Sequence, residues 1–150
     1  MATEVILSRG SSIAEAILRL LGEARASVDA ALCRFNSPQL AAALEDARRR
    51  GVRVRLVLDR NKYEESRTMR EVLAKGSIPF RLLYGRRGPG TKMHHKFALF
   101  DGRTALAGSY NWTAESEEQN YEALLILREP EVLQALEQEF EALWAEAATP

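Results

Sequence analysis

Short apolar, β-branched runs alternate with helix-periodic stretches along almost all of this 150-residue chain, and that alternation leaves few architectures open. Val5-Ile6-Leu7 reads as a short strand. Ser12 with Glu15 three positions on is a capping-box pattern, and Ile13, Ile17, Leu20, Leu21 and Ala24 follow at helical spacing. Ser27 to Phe35 reads as a strand. Ser37-Pro38 then opens a helix with Leu40, Ala41, Leu44 and Ala47 on one face and Gly51 at its end. Val52 to Leu58 is a strand that stops at Asp59. A third helix is expected over Glu64 to Lys75, followed by a strand over Pro79 to Tyr84. Gly85-Arg86-Arg87-Gly88-Pro89-Gly90 reads as a loop. Lys96–Phe100 and Thr104–Ala107 are strands joined at Asp101-Gly102. Asn120 to Leu127 is the last strand. Pro130 starts a helix whose Val132, Leu133, Leu136, Phe140, Leu143 and Trp144 form one stripe. The expectation is a single α/β domain over residues 1–150, a mixed and largely buried β-sheet with helices on both faces.

A chain of this size buries roughly 70% of its unfolded surface and needs no staple. Cys33 is its lone cysteine, so an internal disulfide and a cysteine-rich zinc site are both excluded. The longest stretch without a charge, Thr104 to Ala114, is far short of the roughly 18 residues that span a bilayer. Arg9, Glu15 and Arg19 interrupt any apolar leader, so no signal peptide is expected in the chain as it stands; the compartment stays open between cytoplasmic and exported-and-processed.

The balanced charge conceals an asymmetry. Residues 115–150 hold ten Glu and one base, Arg128, for a net of −9, which leaves +9 on residues 1–114. The acidic tail reads as a solvated helix face, and the basic remainder keeps a polyanionic partner open.

The chemistry concentrates in His94-His95-Lys96-Phe97-Ala98-Leu99-Phe100-Asp101, followed by Gly108-Ser109-Tyr110-Asn111. Strand parity puts His94 and Lys96 on one face, His95 and Asp101 on the other. A neutral imidazole is a competent nucleophile toward phosphorus. A lysine and an amide beside it, Lys96 and Asn111 with Ser109, would hold phosphoryl oxygens as charge builds. No carboxylate cluster in the motif suggests a bound metal, and no cofactor is expected. His95 reads as structural or as a spare base. Asp101 reads as a hydrogen-bonding turn residue, and Glu122 is an unexplained carboxylate entering an apolar strand.

These residues fit H-x-K-x4-D-x6-G-S-x-N at every fixed position, Gly108 included. The chain thereby resembles the phospholipase D superfamily, in particular its small Nuc-like bacterial endonucleases, over residues 4–146. The resemblance implies a phospholipase D-like α/β/α sandwich and metal-independent phosphodiester cleavage through a phosphohistidine on His94. It makes Glu122 the partner of the His94 ring nitrogen that does not attack. One motif copy implies a homodimer with a shared site, because relatives supply the second histidine from a second copy.

Substrate is read from charge. Arg86, Arg87 and Lys92 precede the motif and suit a DNA or RNA backbone, with Arg34 a further candidate and Arg60 and Lys62 secondary ones. Trp112 and Tyr110 would either stack a base or belong to the core. A non-specific endonuclease is the first reading. A phospholipase or cardiolipin-type hydrolase is the second, and a catalytically silent nucleic-acid-binding or dimerisation module is the reading from another class. Stable membrane insertion is not expected.

Overall fold

Side-chain caps set most of the helix starts. Ser12 accepts the Glu15 N–H and opens α1 (Ile13–Glu23), as the capping-box pattern requires. Ser37 does the same for α2 (Pro38–Arg49), with Pro38 at the first helical position. Asp59 caps α3 (Arg60–Glu65), Ser66 caps α4 (Arg67–Lys75), and Thr113 caps α5 (Ala114–Glu118). The last helix, α6 (Pro130–Glu146), starts on proline without a side-chain cap. The computed structural model describes residues 3–150.

Eight strands, β1 (Glu4–Leu7), β2 (Ser27–Leu32), β3 (Arg53–Asp59), β4 (Phe80–Gly85), β5 (Gly88–Lys92), β6 (Lys96–Phe100), β7 (Thr104–Gly108) and β8 (Ala123–Leu127), form one sheet. Their spatial order is β1-β8-β7-β6-β2-β3-β4-β5. The β2–β3 and β3–β4 pairs are parallel and the rest antiparallel, so the sheet is mixed. One face packs Val28, Leu56, Leu58, Ala98 and Ile126 under α1, α2 and α4. The other packs Ala31, Val57, Phe97 and Leu99 under Leu133, Phe140 and Leu143 of α6. Helices thus cover both faces, as expected.

Four local expectations change. The strand expected over Ser27 to Phe35 ends at Leu32, with Phe35 in an isolated bridge to Trp112. Gly85–Gly90 is not merely a loop: Arg86-Arg87 are the tip of a β4–β5 hairpin, and Gly88 and Gly90 adopt φ of +83° and +88° within the edge strand. The third helix is two, because the Ser66 hydroxyl accepts the Met69 N–H and its extended backbone breaks the rod. The last strand begins at Ala123 rather than Asn120; the Ser8 hydroxyl accepts the Glu122 N–H and holds the preceding turn.

Topology now fixes the site. β2, β3, β4 and β7 end at the same edge of the sheet at which β6 and β8 begin. Arg34, Asp59, His94, Ser109 and Glu122 therefore share one rim.

Candidate active site

His94 stands just before β6, and its approach is fastened from below. The fully buried Asp59 accepts the Met93 N–H on one oxygen at 2.8 Å and the Lys62 N–H on the other at 2.9 Å. The Cys33 N–H donates to the His95 carbonyl at 3.0 Å, which ties the motif to the end of β2. Lys96 Nζ donates to the His94 carbonyl at 3.0 Å and lies 3.3 Å from its Nε2. An ammonium can only donate, so the Nε2 facing it presents a lone pair. Lys96, then partial burial, then Lys92 hold the imidazole pKa below its ordinary value, with Asp59 opposing them. The ring is consequently neutral near pH 7, in the form that attacks an electrophile.

Gly108 ends β7 where a Cβ would overlap the Ala123 carbonyl oxygen, so the backbones of β7 and β8 meet there only because the residue is glycine. That contact sets Ser109 beside Glu122. The Ser109 hydroxyl donates to the Glu122 carboxylate and accepts the Ala123 N–H at 3.1 Å. Asn120 Nδ2 donates to the other carboxylate oxygen at 3.1 Å. Asn111 is fixed through its backbone by Ser116 and Thr113, while its buried Oδ1 has no hydrogen-bond partner among the described residues.

The resemblance pairs Glu122 with the His94 ring. Within one chain the carboxylate is engaged by Ser109 and Asn120 instead. β7 stands between β6 and β8, so two strand spacings of roughly 9–10 Å lie between the backbones that carry the two side chains.

Asp101 lies at the far end of β6, where its carboxylate accepts the backbone N–H groups of Arg25, Ala26 and Ser27 at 2.7–3.1 Å. Burial works against its charge, yet the Ser27, Ala26 and Arg25 N–H groups outweigh it and hold the pKa below the usual carboxylate value. Asp101 and Gly102 both have positive φ and close the β6–β7 turn. His95 faces α6, with its Nε2 2.8 Å from Glu139 and its ring edge-on to Phe97. Both placements follow the parity read from the sequence.

Trp112 does not present a ring to solvent. It is 3% exposed and packs edge-on to Phe35 in the core, so its expected substrate role is corrected. Tyr110 is likewise buried, with its hydroxyl on Glu117. An apolar ring gains more from burial against Phe35 than a rim position would give it.

The candidate basic residues divide into two groups along the rim. Arg86 and Lys92 join His94, Tyr84, Glu139 and Glu146 around a cavity of about 520 Å³, and Arg87 is exposed at the hairpin tip. Arg34 and Lys62 line a second cavity of about 270 Å³ with Asn36, Glu65 and Ser66, where Lys62 pairs with Glu65. Arg60 lies over the Tyr84 ring. Among the described residues no group of three or more His, Cys, Asp or Glu side chains is placed to hold a metal ion, and no helix is long and apolar enough to cross a membrane. Asp59 and Asn61 are not among the residues the sequence singles out; the available signal is a carboxylate closing the apolar run Leu56-Val57-Leu58.

A neutral histidine, a lysine and an amide on the open rim of this mixed sheet define a phospholipase D-type fold and site. Residues 17–144 match the family described as "Cardiolipin synthase, PLD-like domain", and the chain belongs to that family. It is 39% identical over 138 residues to the human mitochondrial cardiolipin hydrolase, covering 92% of this chain and 53% of that protein. The chain thus spans about half the length of that relative. Nuc from Salmonella typhimurium, a phospholipase D family member, superposes with a TM-score of 0.86 at 25% identity, over 97% of this chain and 95% of its own. NucT from Helicobacter pylori superposes with a TM-score of 0.87 at 21% identity, over 99% of this chain and the whole of its own.

Proposed function

We propose that the chain is a metal-independent phosphodiesterase, acting as a non-specific endonuclease on DNA from a homodimer, with RNA as the alternative backbone. The observation that carries this reading is the His94 imidazole at an open basic rim, with Lys96 beside its Nε2 lowering its pKa. Nε2 attacks phosphorus, a P–N bond forms, and the P–O bond to the leaving strand breaks. Lys96 and the Asn111 amide hold the phosphoryl oxygens as their charge grows. The departing alkoxide takes a proton from His94 of the partner subunit, the ring of the pair that enters the reaction as imidazolium, and that ring then accepts a proton from the water that cleaves the P–N bond. The products are a phosphomonoester and free histidine. Glu122, held by Ser109 and Asn120 on the same rim, is the carboxylate proposed to orient the His94 imidazole.

Val5, Leu7, Leu125 and Tyr121 are the exposed large hydrophobic residues among those described, and all lie on β1, β8 or the turn before β8. They adjoin Glu122, which favours this sheet edge as the seat of the second subunit. Arg86, Arg87, Lys92 and Arg34 are the groups proposed to follow the substrate backbone.

A second reading, cleavage of cardiolipin or a related lipid diester, is favoured by the likeness to the human cardiolipin hydrolase. The test is cleavage in excess EDTA of single- and double-stranded DNA, RNA, and cardiolipin in mixed vesicles, by wild type and His94→Ala. Nucleic-acid cleavage by wild type alone supports the endonuclease. Cleavage of the lipid alone replaces it with the second reading. Nucleic-acid binding without cleavage by either protein leaves the silent module.

A further inference from the structure

β3 and α3 meet at Asp59-Arg60-Asn61, and this corner grips the approach to His94 at both ends. Asp59 accepts the Met93 N–H. Two residues on, the Asn61 side chain accepts the Gly90 N–H and donates to the Thr91 carbonyl. The four residues 90–93 that lead from the basic hairpin into the motif are therefore held by two side chains of a different element. Asp59 is fully buried and its carboxylate oxygens accept only backbone N–H groups in the contacts described. A buried charge without a directly bonded cation is costly, so its retention asks for a use.

We propose that Asp59 and Asn61 form a positioning clamp, in which Asp59 sets the backbone and charge beneath His94 while Asn61 sets the hairpin carrying Arg86, Arg87 and Lys92 against the substrate. The proposal rests on the phosphodiesterase reading and extends it to two residues outside the motif. Neither touches the reacting atoms. Their roles separate by geometry, because Asp59 meets the residue next to His94 and Asn61 meets the hairpin two to three residues earlier.

The electrostatics are consistent with that division. The groups that act most on the His94 ring are Lys96 on β6, Lys92 at the end of β5, Asp59 at the end of β3 and neighbouring His95, while Tyr84 and Arg86 from β4 and the hairpin and Glu139 and Glu146 from α6 line the adjoining cavity. Of the first four, Asp59 is the one that favours the protonated imidazole. Its field also reaches Cys33 beyond β2 and Tyr84 on β4, where it pushes the same way. Removing the carboxylate leaves Lys96 and Lys92 unopposed, so His94 deprotonates at lower pH.

Two variants test the clamp, each assayed on DNA and on the small diester bis-p-nitrophenyl phosphate in EDTA. Asp59→Asn should lower kcat by about tenfold or more on both substrates, with the acid limb of the pH–rate profile moved to lower pH. Asn61→Ala should raise KM for DNA several-fold, more than it lowers kcat, and affect the small diester much less. A purely structural role would lower the melting temperature without moving the pH limb or splitting KM from kcat, and that result overturns the proposal. Should Asp59→Asn fail to fold, the Asn61→Ala split decides by itself. Failure of wild type to cleave any phosphodiester would remove the functional reading; an active wild type with unshifted variants removes the clamp alone.

Discussion

Asp101 is a fixed member of the motif, yet its position makes it a stability residue, and replacing it separates fold from chemistry. It lies seven positions beyond His94 along an extended strand, roughly 20 Å away. Its carboxylate accepts three backbone N–H groups, from Arg25, Ala26 and Ser27. Each hydrogen bond to a charged group contributes about 1.5–3 kcal/mol. The site is only partly buried, so water re-solvates the freed N–H groups and the sum for three falls to about 2–4 kcal/mol. Alanine adds about 1 kcal/mol, because residue 101 sits at φ +57°, which Asp and Asn tolerate better. At about 2–4 °C per kcal/mol for a chain of this size, Asp101→Ala should lose roughly 10 °C in melting temperature. Asp101→Asn, which keeps the backbone conformation, should lose about half of that. The pKa of Asp101 is depressed in the fold, so its stabilisation is present above the unfolded carboxyl value and is lost as pH falls through the lower folded one. The melting gap between wild type and variant should therefore narrow in acid, leaving for Asp101→Ala the part that comes from the positive φ. Thermal unfolding from pH 7 to pH 2.5, with cleavage rates measured well below each melting point, reads both effects. A folded Asp101→Asn that melts like wild type but has lost a thousandfold in kcat would refute the assignment.

Trp112→Ala should cost about 3–5 kcal/mol through the cavity it leaves beside Phe35, while DNA affinity measured well below the melting point changes little. Cys33 is buried, and burial followed by the charge of Asp59 raises its pKa, so a thiol reagent should label it only as the chain unfolds. Reversing Arg86 and Arg87 to glutamate should weaken DNA binding and flatten its salt dependence; an unchanged slope would remove the hairpin from the substrate path.

Local signals explain what could be read in advance. The Ser12 and Ser37 caps, the stripe on α6 and the Asp101-Gly102 turn each depend on neighbours a few residues away, and each appears where the pattern puts it. Strand parity likewise sets His95 and Asp101 on one face, and both lie on the side of the sheet that α6 covers. What escaped depends on distant partners. The β5 edge strand forms because Asn61, some thirty residues earlier, pins Gly90 and Thr91. Trp112 is an aromatic beside a motif in either role, and only Phe35 across the sheet edge makes it core. Glu122 could be matched to His94 by family pattern, but its hydrogen bonds to Ser109 and Asn120 follow from how β7 and β8 meet. Asp59 reads as a strand end and a cap for the Lys62 N–H three residues on; its hold on Met93 comes from another element.

The central claim is that His94 takes the phosphoryl group. Rapid acid-free quenching of a reaction with a ³²P-labelled diester, followed by mapping of the label, addresses it most directly. The account predicts a base-stable, acid-labile adduct on His94 in wild type and none in His94→Ala. Cleavage that proceeds at the same rate in His94→Ala, or label found on another residue, would contradict it.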